Sequence, residues 1–264
     1  MTIATLDDYI NSAKQGLTYF KQSGATTVFA VPFGMFNIAG NPGAGTLAGT
    51  STTAGVVPDQ STAGCPSIVT FGATTGYLGQ VMYTADQSGT LAFYDLLWKG
   101  GAYAFNSNVT LASQPSFSAR VPGGTNFGGL QIWLETVTNF TGNQSIAITY
   151  TNQAGTAGKT TGTIATGAAP IVNRMFQMPL ASGDSGVQKI EVVTSSVATV
   201  GTFNVLVLRP LWRGTLPQAN LGDTHGLDKV GLPTIFSGTA FYCIGTWGST
   251  NSGQVNVQLT TCNL

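Results

Sequence analysis

The residues best suited to nucleophilic chemistry are a serine beside an aspartate and one histidine later in the chain. Asp184 and Ser185 stand between two glycines, and His225 is the one histidine of the sequence. A serine nucleophile needs a general base that is held by a third group, so these residue types could build a catalytic triad. The range Gly183–Gly186 is also a complete turn between two strands, and we favour that interpretation.

Phosphate and metal chemistry are supported even less. The glycine-rich range Gly155–Thr160 is similar to a phosphate-binding loop, but Gln153 stands where the first glycine is required, and no helix pattern follows. The polar run from Asp223 to Asp228 is interpreted as a surface loop. One histidine and three scattered cysteines supply no set of zinc ligands. The sequence therefore predicts no catalytic residue, no cofactor-binding residue, no metal ligand and no enzymatic activity.

Carbohydrate chemistry would need paired carboxylates or exposed aromatic side chains. Asp95, Glu135 and Glu191 are candidate acids, but nothing in their spacing selects a pair. For Glu135 and Glu191, a solvated face or a salt bridge is the ordinary explanation. Exposed tryptophans could stack on sugars in a glycan-binding module, whereas buried ones would belong to the core; the four tryptophans are Trp98, Trp133, Trp212 and Trp247.

The low charge of the chain says more about its function than any of these groups. Charged residues make up 8% of the 264 residues, against about 25% in ordinary soluble domains. Ten basic and ten acidic residues cancel, and a near-zero net charge favours association. The basic residues are dispersed, so nucleic-acid binding is not expected. A surface with few ions is easily covered, because few charges have to be desolvated.

The N-terminal region is predicted to hold one amphipathic helix and then a long irregular arm. Thr5 with Asp8 fits a capping box, and Gly24 would end the helix. From Ala25 to about Ser67 the composition is that of loops, and we expect an arm that drapes over a partner. Five residues at helical spacing would form the apolar face: Leu6, Ile10, Ala13, Leu17 and Phe20.

The remainder, residues 67–264, is predicted to be one antiparallel β-sandwich, jelly-roll-like, with residues 1–66 as the helix and arm. Turn-forming residues alternate with strand-forming segments throughout this part. We expect the last two strands to form a terminal hairpin and all three cysteines to be reduced. The predicted strands are Tyr77–Thr84, Leu91–Trp98, Gln131–Thr138, Gln144–Thr151, Ile171–Met178, Val187–Thr194, Phe203–Arg209, Thr239–Thr246 and Gln254–Thr260.

Membrane insertion and export are not expected. No apolar run reaches the 18 or so residues of a membrane span, and the apolar range Val28–Phe36 is interrupted by Pro32 and Gly34. Asp7 and Asp8 stand where a secretion signal would carry positive charge.

Several segments resemble a family of tailed-bacteriophage virion proteins. The resemblance covers most of the chain, and it implies a component of the virus particle, a capsid decoration (cement) protein bound outside the shell. The segments that carry it are Thr5–Ile10, Asn41–Gly49, Gly101–Asn106, Ser118–Thr125 and Leu180–Ile190.

The resemblance and the composition lead to one set of expectations. The chain would be made in the host cytoplasm without a signal peptide and would then be located on the capsid surface. Its partners would be copies of itself, as a homotrimer, and the major capsid protein, because closed symmetry buries the faces that one chain leaves exposed. The alternative is a receptor- or glycan-binding module on a tail or fibre.

Overall fold

The structure is a computed structural model that describes residues 3–22, 26–47, 51–71, 75–105, 108–167, 170–196 and 200–263. It is built from antiparallel β-sheets, with two short helices, α1 (Leu6–Asn11) and α2 (Leu227–Val230). The strands, in chain order, are β1 (Ala13–Lys21), β2 (Pro32–Gly34), β3 (Gly40–Asn41), β4 (Ser51–Val56), β5 (Gly76–Ala85), β6 (Gly89–Ala104), β7 (Asn108–Thr110), β8 (Gln131–Thr138), β9 (Ser145–Asn152), β10 (Lys159–Thr160), β11 (Ile164–Ala165), β12 (Met175–Gln177), β13 (Val187–Ser195), β14 (Thr202–Leu216), β15 (Leu221–His225), β16 (Thr234–Ile235), β17 (Phe241–Trp247) and β18 (Val255–Asn263).

The chain divides into two compact units that are built from separate segments. The first unit comprises Met1–Thr46, Asp59–Asp95 and Leu211–Leu264, and the second comprises Leu47–Pro58 and Leu96–Pro210. The residues of the predicted helix and arm, 1–66, are therefore shared between the two units. The long strands β6 and β14 each contribute one part to each unit.

The first unit is a β-sandwich with one large sheet. Its strands run in the order β15-β5-β18-β1-β3, and β16 also pairs with β5. The inner face of this sheet packs on residues of β6, β14 and β17, because alternate side chains along each strand point into the core. Along β18 the expected alternation is confirmed: Val255, Val257 and Leu259 are buried, whereas Asn256 and Gln258 are exposed.

The second unit has its own core between two sheets. The order β10-β9-β13-β7 forms one of them, and β8 lies between β12 and the first half of β14. Val205, Leu206, Val207 and Leu208 are all buried, as their continuous apolar run predicts. Aromatic rings fill much of this core, with Phe105 packed edge-to-face on Phe140.

The N-terminal helix is present but shorter than predicted. Its capping box is confirmed, because the Thr5 hydroxyl accepts from the Asp8 backbone N–H (3.1 Å) and Asp8 accepts from the Thr5 N–H (2.8 Å). The prediction that the helical face continues through Ala13, Leu17 and Phe20 is wrong, because Ala13–Lys21 is a strand that pairs with β18 along its whole length. The predicted stop at Gly24 lies outside the described residues.

The predicted strands are confirmed, whereas the prediction that the last two strands form a hairpin is wrong. Each of the nine predicted segments contains a strand, although Ile171–Met178 shortens to β12 and β6 and β14 extend well beyond their predicted ends. The strand β17 pairs with β6 and β2, and β18 pairs with β1 and β5. The cysteines Cys65, Cys243 and Cys262 are buried and are not linked in disulfide bonds, as expected.

The predicted arm contains short strands and is held by contacts within this chain. Lys21, which is fully buried, donates from Nζ to the carbonyl oxygens of Ile38 (3.0 Å), Pro42 (2.9 Å) and Gly43 (3.3 Å). In the second unit, the indole Nε1 of Trp98 donates to the carbonyl oxygen of Ala54 (3.2 Å). Within the part of the chain that the structure describes, no helix is long and apolar enough to cross a bilayer.

Candidate interaction surface

Three cross-strand rows on the outward side of the six-stranded sheet in the first unit form an exposed area without charged residues, which is called the outer face here. Lys14, the next outward position along β1, lies beyond this area at the end where α1 packs. Cross-strand register places the residues of the outer face in these three rows, and each residue is exposed or partly exposed. None of them is Asp, Glu, Lys or Arg. The rows are Thr224, Met82, Gln258 and Thr18; Gly222, Thr84, Asn256, Phe20 and Asn41; and Gln80, Thr260 and Gly16.

A shallow cavity of about 540 Å³ opens on this face between β15, β5 and β18. Met82 gives it an apolar side chain, while Asn256 and Gln258 carry amides that can both donate and accept hydrogen bonds. Asp223 is the charged residue among those that line it. Apart from Asp223, the lining therefore suits a partner surface that offers apolar groups and peptide or hydroxyl groups.

Helix α1 borders the outer face at one end. Tyr9 reaches the sheet there, because a side chain at Gly79 would meet the Tyr9 ring carbon Cε2 at 2.7 Å. Lys14 fixes the end of the helix, since its Nζ donates to the carbonyl oxygens of Tyr9 (2.8 Å) and Ile10 (3.1 Å). Leu6 and Ile10, which belong to the predicted apolar face of the helix, are 63% and 60% exposed, so this face does not lie on the protein's own sandwich.

On the opposite side of β15, His225 belongs to a hydrogen-bonded cluster. Trp212 Nε1 donates to His225 Nδ1 (3.0 Å), and His225 Nε2 lies 3.2 Å from both Asp223 Oδ2 and the Tyr83 hydroxyl oxygen. Lys229 Nζ is 3.9 Å from the same Asp223 oxygen. A hydrogen bond from the Thr224 backbone N–H, supported by the positive charge of Lys229, lowers the pKa of Asp223. The polar run Asp223–Asp228 thus includes the end of a strand and the start of α2, which corrects its interpretation as a loop.

The possible nucleophile segment is a structural turn. The Asp184 carboxylate accepts from the Tyr150 hydroxyl (2.7 Å) and from Asn152 Nδ2 (2.7 Å), and these two bonds lower its pKa. His225, which a triad would need, is engaged with Trp212 and Asp223 in the first unit, whereas Ser185 belongs to the second. The residues of the segment hold a turn that leads into β13.

The three candidate acids each serve the fold. Asp95 accepts from the backbone N–H of Ala240 (3.0 Å), and Glu191 accepts from the Thr151 hydroxyl (2.8 Å) and the Gly158 N–H (2.9 Å). Glu135 is paired with Lys99 inside the second unit.

The remaining candidates also fall into structural roles. The glycine-rich range Gly155–Thr160 connects β9 to β10, and no helix follows it. Among the described residues, no three His, Cys, Asp or Glu side chains are grouped so that they could hold a metal ion. The four tryptophans are all buried, which leaves none of them as a platform for a sugar ring: Trp98, Trp133, Trp212 and Trp247.

Sequence reasoning missed most of the outer face. It identified the outward residues of β18, namely Asn256, Gln258 and Thr260, from their alternation with apolar residues. It missed Thr18 and Phe20, because the segment that holds them was predicted to be helical. The alternation of Leu17, Tyr19 and Lys21, all buried, was the signal that could have revealed the strand.

No family model and no curated protein matches this chain. Among solved structures it is similar to a mutant VP2 protein of infectious bursal disease virus in T=1 particles, with 11% identity, coverage of 96% of this chain and 77% of that one, and a TM-score of 0.20. It is also similar to the structure of the Gx strain of that virus, with 11% identity, 96% and 81% coverage, and a TM-score of 0.21. Likenesses of this size assign neither a family nor an activity, so the proposal below rests on the residues of this chain.

Proposed function

We propose that this chain is a non-enzymatic structural protein of a virus particle, and that it acts as a capsid decoration (cement) protein. The observation that carries the proposal is the outer face, an exposed area of three cross-strand rows that contain no charged residue. The resemblance of the sequence to virion proteins supports a location on the virus particle. The outer face is the surface that would bind the major capsid protein on the outside of the shell.

Burial of this face costs little in electrostatic terms. Each charge that is removed from water without a partner costs several kcal/mol, roughly 3 or more, and the rows of the outer face contain none. Thr18, Thr84, Asn256 and Gln258 can replace their bonds to water with bonds to a partner, and Met82 adds apolar area. Attachment through such a surface is insensitive to salt, because there is little charge to screen.

Self-association completes the proposal. A homotrimer would place three outer faces on one shell, and this symmetric trimer would join neighbouring capsid subunits. Exposed Leu6 and Ile10 on α1 lie beside the outer face and extend the apolar area that assembly would cover.

A structural role also fits the condition of the reactive side chains. Asp95, Glu135, Asp184 and Glu191 accept hydrogen bonds or ion pairs from within their own unit, and His225 is held by Trp212. Carboxylates and an imidazole that are engaged in such contacts stabilise loops and strands. The proposal therefore assigns no catalytic, cofactor-binding or metal-binding residue.

Cosedimentation with capsid shells that lack this protein tests the function. The native protein is expected to remain bound from about 0.05 M to about 1 M NaCl, a range over which the Debye length falls severalfold. Gln258→Lys puts a charge at the centre of the outer face and is expected to weaken attachment at least about tenfold.

The matched control for that variant is Thr194→Lys, which adds the same charge at an exposed position of β13 in the second unit. It is expected to bind like the native protein. Release of the native protein by moderate salt, or equal binding by both lysine variants, would contradict attachment through the outer face.

A further inference from the structure

The edge strand of the outer face is tied to the core by the one histidine of the chain. The strand β15 pairs with β5 and is the last strand of its sheet. Alternate residues of β15 have different surroundings. Gly222 and Thr224 line the cavity on the outer face, whereas the His225 side chain is turned toward the core and is 13% exposed.

The hydrogen bond from Trp212 to His225 can form in only one protonation state of the imidazole. An indole N–H can only donate, so Nδ1 of His225 must accept and cannot carry a proton. The ring proton of the neutral histidine is therefore on Nε2, which faces Asp223 and the Tyr83 hydroxyl group. A second proton would occupy Nδ1, and two N–H groups would then point at each other.

We propose that His225 and Trp212 form a pH-operated latch on the outer face, and that protonation of His225 releases it. This inference rests on the proposed function, because it concerns the regulation of the same surface. When the latch is closed, Trp212 Nε1–H holds the imidazole and β15 lies against β5. When His225 gains its second proton, the bond to Trp212 is lost and β15 keeps only its backbone pairing and its remaining side-chain contacts.

The charged and titratable groups around the ring determine where the protonated histidine turns. Asp223, on the same strand, is anionic and attracts the imidazolium, while Lys229 of α2 shares that carboxylate. Tyr83 of β5 contacts the ring edge-to-face and stays neutral, because burial and the charge of Asp223 raise its pKa. The protonated ring is therefore drawn toward Asp223, away from the indole.

Movement of β15 would reach the partner directly. Gly222 and Thr224 stand opposite Thr84 and Met82 in the register of the sheet, so they form one wall of the cavity on the outer face. A shift of this edge strand changes the shape of the surface that the capsid contacts. The latch thus makes attachment dependent on pH although it is insensitive to salt.

Nuclear magnetic resonance of the free protein tests the latch without any capsid. The chain has one histidine, so the imidazole signals that are followed as the pH is lowered from about 8 to about 5 belong to His225. We expect the indole N–H signal of Trp212, assigned by its loss in Trp212→Phe, to shift with the same midpoint as His225. An indole signal of Trp212 that stays fixed while His225 titrates overturns the proposal.

Attachment measurements then test the coupling to the surface. Native protein is expected to bind shells about tenfold more weakly at about pH 5.5 than at about pH 7.5. His225→Asn keeps an acceptor for Trp212 at the Nδ1 position but cannot be protonated in this range, so its binding should be equal at both pH values. His225→Phe removes the acceptor and should bind weakly at both.

The two sets of measurements separate the two proposals. Native binding that is equal at both pH values overturns the latch, because attachment would then be independent of His225. Failure of the native protein to bind at either pH contradicts the proposed function instead, and the indole signal of Trp212 still decides whether the latch exists.

Discussion

Lys99 and Glu135 form a buried ion pair in the second unit, with Lys99 Nζ 3.6 Å from Glu135 Oε2 and side-chain exposures of 7% and 0%. Asn204 Nδ2 donates to the same carboxylate oxygen (2.7 Å) and also to the Leu47 carbonyl oxygen (2.6 Å). Through Asn204, the pair thus connects β6 and β8 to the start of the segment Leu47–Pro58, which belongs to the second unit.

Removing one partner of this pair should destabilise the protein more than removing both. Glu135→Leu leaves Lys99 buried without its carboxylate and should lower the free energy of unfolding by about 3–5 kcal/mol. The double variant with Lys99→Met should lose clearly less than the sum of the two single variants. Urea unfolding of all four proteins measures this coupling, and strict additivity would show that the pair does not act as a unit.

Gly55 should tolerate no side chain. Its φ is +65°, and a Cβ there would lie 2.2 Å from ring carbons of Trp98. Gly55→Ala is expected to cost on the order of 3 kcal/mol of stability through overpacking and backbone strain. Gly43→Ala is the control, because its Cβ would meet no atom within 4 Å. Thermal unfolding that is equal for the two variants would contradict the tight packing of β4 on Trp98.

Lys21 should make the protein more stable as the pH rises toward 10. Burial lowers the pKa of Lys21 to about 8, from an ordinary value of 10.5. Between these values the unfolded chain binds one proton more than the folded chain, so the free energy of unfolding rises with pH. The expected gain from about pH 7.5 to about 9.5 is about 2 kcal/mol.

Two comparisons isolate that effect. Lys21→Met should abolish the rise, whereas the native protein should lose stability again above about pH 10 as tyrosines ionise in the unfolded chain. Burial raises the pKa of Tyr150 to about 12, so folded Tyr150 keeps its proton longer than unfolded Tyr150. A native stability curve that is flat from pH 7.5 to 9.5 would contradict the buried ammonium.

The protein should not bind glycans through its tryptophans. All four indole rings are buried, so no saccharide is expected to change the intrinsic fluorescence or to be retained on a glycan array. Specific retention of one glycan, abolished by a substitution on the outer face such as Asn256→Ala, would favour the receptor-binding alternative over a capsid contact.

The strands of the sandwich were predictable because their patterns are local. Alternation in β18 and the continuous apolar run in β14 follow from burial of one face or of both faces. The pairing of the strands was not predictable in this way. Two neighbouring runs such as β17 and β18 suggest a hairpin, but their partners lie far away in the sequence.

The N-terminal segment shows where local patterns compete. Leu6, Ile10, Ala13 and Leu17 fit a helical period, while Leu17 and Tyr19 also fit the period of a strand. Pairing with β18 over nine positions decides between them, and this long-range contact leaves no trace in the segment itself. The outer face could not be predicted for the same reason, because its rows join strands from three distant parts of the chain.

Image reconstruction of the virus particle at a resolution that locates this chain tests the central claim most directly. The outer face is expected to be covered, with Thr18, Met82 and Gln258 in contact with a capsid subunit on the outside of the shell. A particle in which this chain is bound while Thr18, Met82 and Gln258 face solvent would contradict attachment through the outer face.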